Sequence, residues 1–126
     1  MGGEKSVVAH SGGPVSADPD CLFCKIVAGE IPAEVVSETE TTVAFRDVNP
    51  QAPTHVLVVP KQHLVDAAQV AAADAGLLAT LVAEAASVAA SDGYRLVFNT
   101  GAEGGQVVFH AHLHVLSGRQ MTWPPG

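Results

Sequence analysis

The sequence predicts an α+β layer fold, an antiparallel sheet of five strands carrying one short and one long helix. Three observations lead there. Apolar residues recur at helical spacing in two segments, four short apolar runs bounded by turn residues read as strands, and His110, His112 and His114 stand at every second position of a fifth run. The helical segments lie before and after antiparallel strands rather than alternating strictly with them, which argues against a parallel βαβ sheet.

Residues 1–20 are rich in Gly, Ser, Pro and Asp without apolar periodicity and read as a disordered arm, leaving residues 21–126 as one domain. Asp20 is a possible N-cap for a short helix in which Leu22, Phe23, Ile26 and Val27 share one face and which Gly29 ends. Glu34–Ser37 and Thr42–Arg46 flank a polar turn, as in a hairpin. Asp47-Val48-Asn49-Pro50 is a turn, and Pro50 and Pro53 keep the next link from being helical. His55–Val59 is a buried strand stopped by Pro60. Leu77, Leu78, Leu81, Val82, Ala85, Val88 and Ala89 form the stripe of the one long helix, capped by Asp74 and stopped by Gly93. Tyr94–Phe98 is a strand.

The fifth strand carries the chemistry. In an extended chain successive side chains point to opposite faces, so His110, His112 and His114 share one face at spacings of about 6.5–7 Å, and Phe109, Ala111, Leu113 and Val115 form the core face. Three solvated histidines or an expression tag would be the plain alternative, but a tag does not interleave Ala, Leu and Val at period two or follow a glycine loop. The outer two rings, roughly 13 Å apart along the strand, cannot readily ligate one ion together. Neutral imidazole is instead a competent nucleophile near pH 7, and a neighbouring ring can stabilise phosphate charge. Asn99, Gly101, Gly104, Gly105 and Gln106 supply the complement: glycines bring backbone N–H groups close to an anion and the amides add donors. The glycine loop alone is equally a tight turn; joined to the histidines it points to phosphate chemistry.

Charge and composition narrow the partners. With 126 residues, 48% of them hydrophobic, the chain can bury a core without disulfides. A formal charge of −7 from 13 acidic and 6 basic residues opposes nucleic-acid binding, so an anionic ligand has to be recognised locally. Asp66, Gln69, Asp74 and Glu84 interrupt the alanine-rich run over residues 65–90, which excludes a membrane span there. No secretory signal is visible, and a cytoplasmic protein is expected. Cys21 and Cys24 form a CxxC pair, which in a reducing compartment binds metal, is redox-active, or packs as small hydrophobes on a helix.

These residues also carry a family resemblance. His110-Ala-His112-Leu-His114-Val-Leu116 resembles the signature of the histidine triad (HIT) proteins. FCKIVAGEIPAE, AFRDVNPQAPTHVLVVPKQH, GYRLVFNTGAEGGQ and the closing GRQMTWPPG resemble the histidine triad nucleotide-binding branch, together covering nearly all of residues 21–126. The resemblance implies the HIT fold, and a two-fold homodimer in which the two sheets join into a continuous one. It implies a hydrolase of purine nucleoside 5′-phosphoramidates or aminoacyl-adenylates that works through a covalent nucleotidyl-histidine and needs no cofactor for catalysis. His112 would be the nucleophile and His114 would assist the phosphate and leaving group, with His110 and His55 in support. Asn99, Gly105 and Gln106 match the phosphate-contacting positions, and Asp47 the ribose-binding carboxylate. Leu22, Phe23, Ile26, Ile31, Phe45, Val48 and Leu57 match the apolar base pocket, and Trp123 lies in a C-terminus that reaches toward the partner's active site.

Two further implications are specific to this chain. Val107 stands where the branch commonly has a serine whose hydroxyl contacts the phosphate or leaving group. Where members of the family carry CxxC, it implies a structural zinc completed by two histidines, here His63 and His110, a ligand set that satisfies tetrahedral zinc. The competing functions are a dinucleoside polyphosphate hydrolase of another branch, which the GRQMTWPPG ending disfavours, and a nucleotide-sensing or scaffold dimer with incidental catalysis.

Overall fold

The structure, a computed structural model, describes residues 17–90 and 92–126, so most of the arm expected over residues 1–20 lies outside the described residues. Five strands, β1 (Val35–Glu38), β2 (Thr42–Arg46), β3 (Thr54–Pro60), β4 (Tyr94–Phe98) and β5 (Leu113–Ser117), form one sheet in the order β1-β2-β3-β5-β4. Every neighbouring pair is antiparallel. Helix α1 (Leu22–Val27) precedes the sheet, and α2 (Ala67–Ala73) and α3 (Ala75–Val88) lie between β3 and β4. This is the five-stranded α+β architecture that the apolar patterning predicts.

Both faces of the central strands are buried, and the period of two divides them. Ala44, Val56, Val58, Leu113 and Val115 pack with Val70 of α2 and with Leu77, Leu81 and Ala85 of α3. The alternate residues Val43, Phe45, Leu57 and Val59 pack with Phe23, Ile26 and Val27 of α1. A strand buried on both faces reads as a continuous apolar run, as His55–Val59 does. Antiparallel pairing sets Leu57 opposite His114 and His55 opposite Leu116, which brings β3 and β5 histidines onto the face beside α1.

The structure departs from the sequence reading in four places. A third helix, α2, joins the two expected: Asp66 caps it through Gln69 N–H at 2.9 Å, and it ends where the N–H of Asp74 meets the carbonyl of Val70. Only Val70 of this alanine-rich turn is buried, so no apolar stripe announces it. The long helix stops at Val88, with an extended Ala89, and Gly93 belongs to the turn into β4. The cap of α1 is Cys21, whose Sγ accepts the N–H of Cys24, rather than Asp20.

The fourth departure bears on function. The fifth strand begins only at Leu113, because the chain before it is tied to the segment that follows β3. Ala111 donates its N–H to the carbonyl of Leu64 at 2.7 Å, and the His110 ring bonds the carbonyl of Pro60 at 2.8 Å. The alternation nevertheless persists, since the rings of His110 and His112 both meet Phe23 of α1 while Ala111 packs in the opposite core, but Phe109, expected in the core, is 48% exposed.

Candidate active site and metal centre

Hydrogen bonds to groups of known polarity assign His55, His110, His112 and His114 a tautomer. The carbonyl of His110 lies 2.8 Å from Nδ1 of His112. A carbonyl only accepts, so Nδ1 carries the proton and Nε2 of His112 keeps a lone pair. On β3, Nδ1 of His55 accepts the N–H of Gln51 at 3.0 Å, which places the His55 proton on Nε2. That N–H donates to Nδ1 of His114 at 2.9 Å, with Oδ2 of Asp47 at 3.4 Å from the same nitrogen. The proton of His114 consequently sits on Nε2, a buried atom with no partner among the described residues.

The His112 and His114 rings stand 5.0 Å apart, so the unprotonated Nε2 and the unsatisfied Nε2–H belong to adjacent rings. Burial, with additional unfavourable contributions from the His112 and His55 rings, pushes the pKa of His114 down to about 4 against the pull of Asp47. Burial likewise lowers that of His55, again opposed by Asp47. Both rings are neutral near pH 7, as the chain of donors and acceptors requires. The pair is an array of fixed dipoles ending in one free donor.

The two rings lie in a groove of about 460 Å³, within the range of small-molecule sites. Leu22, Phe23, Ile26, Ile31, Phe45, Val48 and Leu57, the expected base-pocket residues, all line it, together with Asp47 and Val107. Helix α1 supplies the wall: Phe23 sets its ring edge-on to His112 at 5.0 Å and to Phe45 at 5.6 Å. Leu22, half exposed in a helix that buries Phe23, Cys24, Ile26 and Val27, is on the groove side. Val48 is fully exposed and Val107 is 84% exposed, so both stand at the rim. Trp123, at 82% exposure, does not line the groove of its own chain.

The glycine loop beside β5 has a definite shape. A Cβ at Gly104 would fall on the carbonyl of Thr100, and Gly105 adopts a φ of +86° with the Asn99 amide beneath it, so both positions require glycine. The amide of Gln106, expected as a phosphate donor, is committed inside the loop. Its oxygen accepts from Gly101 N–H at 2.9 Å, and its nitrogen donates to the carbonyls of Val65 and Val108 at 2.7 and 3.1 Å. The N–H groups of Gly105 and Gln106 also bond loop carbonyls. Gln106 thus shapes the loop, and Val107, which follows it, meets the groove.

Behind the groove a second cluster gathers Cys21, Cys24, His63 and His110. Because Nε2 of His110 donates to Pro60, its Nδ1 lone pair faces Sγ of Cys21 at 3.4 Å, Sγ of Cys24 at 3.5 Å and Nδ1 of His63 at 3.2 Å. Nδ1 of His63 lies 3.4 Å from Sγ of Cys24. Tetrahedral zinc with its usual bond lengths has ligand–ligand edges of about 3.3–3.8 Å; these four distances fall close to that range, and all four atoms lie within 4.8 Å of one another, as a zinc site requires. The cysteines are free and buried, and burial, with smaller contributions from Cys21 and Asp18 opposed by the Asp18 N–H, raises the Cys24 thiol to about 11. A redox-active cysteine needs the opposite shift, whereas a bound cation deprotonates a thiol outright.

The model of the HIT domain matches residues 28–121. The chain belongs to the HIT family. A HIT-like protein of Synechocystis is 50% identical over 111 residues, 85% of this chain and 97% of the relative. A 14 kDa zinc-binding protein of Zea mays is 47% identical over 115 residues, 86% of this chain and 90% of the relative. The solved structure of a HIT family hydrolase from Legionella pneumophila shares 54% identity with a TM-score of 0.79, covering 85% of this chain and all of that one.

In this HIT domain the structure adds functional groups that the sequence reading missed. Most are backbone atoms: the N–H of Gln51 on His55, the carbonyls of Pro60 and His110, and the N–H of Asp18, which donates to Sγ of Cys24 at 3.4 Å. Side-chain patterns carry no trace of such groups. Pro32 and Val108 on the groove wall had a signal, since each adjoins an identified residue.

Proposed function

We propose that this HIT protein is a nucleoside phosphoramidase of the histidine triad nucleotide-binding branch. It hydrolyses the P–N bond of purine nucleoside 5′-phosphoramidates or aminoacyl-adenylates through a nucleotidyl-histidine at His112. The observation that carries this reading is the tautomer lock, which leaves the Nε2 lone pair of His112 beside the Nε2–H of His114 in an apolar groove. The Legionella structure, described as a hydrolase, agrees with it.

In the proposed reaction the purine lies between Phe23, Phe45 and Leu57, and Asp47 takes the ribose hydroxyls. Asn99 and the N–H of Val107 hold the phosphate, on a loop that Gly105 and Gln106 shape. Nε2 of His112 attacks the α-phosphorus, and the P–N bond breaks as the amine takes a proton from solvent. The His114 Nε2–H donates to the phosphoryl oxygens as charge gathers there. Water then attacks phosphorus, the P–N bond to His112 breaks, and nucleoside monophosphate leaves. The chemistry needs no cofactor.

The same reading makes the protein a cytoplasmic homodimer joined into one continuous sheet, with Trp123 directed at the partner's groove. Cys21, Cys24, His63 and His110 hold a structural zinc that ties α1 to the chain before β5. The name of the maize relative supports the zinc, as does the spacing of the four ligand atoms.

A fluorogenic adenosine phosphoramidate assay on the wild type and on His112→Ala tests the activity. Turnover lost in the variant, with a covalent nucleotide on His112 trapped and identified by mass spectrometry, supports it. Nucleotide binding without His112-dependent turnover favours the sensing dimer. Faster cleavage of a dinucleoside polyphosphate assigns the other branch of the family.

A further inference from the structure

His110 links the two clusters, with both ring nitrogens and its carbonyl engaged. Its Nδ1 faces Cys21, Cys24 and His63, and its Nε2–H holds the carbonyl of Pro60. Its own carbonyl accepts the proton that sets the tautomer of His112. The ring is fully buried and is joined to that carbonyl through one Cα, so a displacement of the residue in its packed site is felt at both. A second path runs through α1. The helix carries Cys24 in its first turn and is capped by Cys21, and Phe23, between them, lies edge-on against the rings of both His110 and His112.

We propose that a metal ion held by Cys21, Cys24, His63 and His110 positions the nucleophile, locking the His112 ring through the His110 carbonyl and through Phe23. The inference rests on the metal reading above and goes beyond a structural zinc, because it makes metal occupancy a determinant of turnover. Nδ1 of His63 and Nδ1 of His110 face each other at 3.2 Å with two sulfurs beside them, an arrangement that a cation holds together. Once the His110 ring shifts, its carbonyl leaves the line of the His112 Nδ1–H. His112 then samples the tautomer whose Nε2 is protonated and cannot attack. The His55–His114 pair stands apart from this path, because its tautomers are set by Gln51.

The test uses the full chain labelled with ¹⁵N-histidine, loaded with Zn(II) or stripped by chelator in the presence of a reductant. Long-range ¹H–¹⁵N correlation reads the tautomer of each ring. The expected result is a single Nδ1–H tautomer for His112 in the loaded protein and an averaged one in the stripped protein, while His55 is unchanged. Phosphoramidate kcat falls about 10- to 100-fold and returns on adding Zn(II). Because stripping can unfold the chain, the same reading is taken on His63→Ala, whose side chain meets Cys24 and His110 and does not line the groove. A folded, metal-depleted protein in which His112 keeps its Nδ1–H tautomer overturns the proposal and leaves the zinc reading intact. Failure to bind Zn(II) overturns both.

Discussion

The proposed nucleophile is defined by one proton. His112 donates Nδ1–H to the carbonyl two residues earlier, which leaves its Nε2 lone pair free without any carboxylate partner. His112→Ala should lower phosphoramidate turnover by about 10⁴-fold or more while calorimetry still detects nucleoside monophosphate in the groove. Val107 lies at the rim, where its valine side chain offers no donor. Val107→Ser should change kcat or leaving-group preference by about 2- to 10-fold, the worth of one added hydrogen bond, and identical kinetics and products would refute a role for this position. The buried His114 ring binds its proton at a pH near 4, below the 6.5 of a free imidazole. Between those values the unfolded chain binds a proton there and the folded chain does not, so its contribution to stability is full above pH 6.5 and is lost as pH falls toward 4. Denaturant midpoints measured across that window should fall more steeply in the wild type than in His114→Gln.

Among the elements, α3 and β5 show how much of a segment its pattern determines. Leu81, fully buried in the helical stripe, contacts the sheet face formed by Val56, Val58 and Val115, and Leu81→Ala should cost about 2–5 kcal/mol in urea unfolding. Asp74→Ala should cost about 1 kcal/mol, because it removes the acceptor of Leu77 N–H at 3.1 Å and leaves the core intact. A reversed ranking would mean that the cap, not the stripe, holds this helix. The stripe was legible because its period is that of the helix it builds. Helix α2 was not, although Asp66 and Gln69 carry a capping signal at the right spacing: alanine packs too little to mark a face. The strand bearing the histidines was legible in type and misread in extent, since period two runs on through His110 whereas the chain there turns to meet Pro60 and Leu64.

At the scale of the molecule, the sheet ends in β4 on one side and β1 on the other, and the homodimer reading joins two sheets into one. Sedimentation should report twice the 12.9 kDa chain mass at micromolar concentration, and a concentration-independent monomer would exclude a partner's Trp123 from the groove. Protein purified without chelator should contain one zinc per chain, and chelation should lower its melting temperature, since an ion bound only by the folded state stabilises it by mass action. The groove depends on the same assembly of parts, with α1 as its wall and the sheet as its floor.

The sequence by itself determined the strand alternation, the helical stripe, the apolar lining of the groove and the identity of the histidines and thiols. Each is a matter of side-chain type at fixed local spacing. Only the tertiary structure decided which nitrogen of each ring carries the proton. That choice depends on carbonyls and N–H groups contributed by Pro60, Gln51 and His110 itself, and every residue but proline carries the same backbone groups, so nothing in the sequence distinguishes the ones that matter. The three histidines that look equivalent along the chain are divided by where the backbone around them happens to accept or donate a proton.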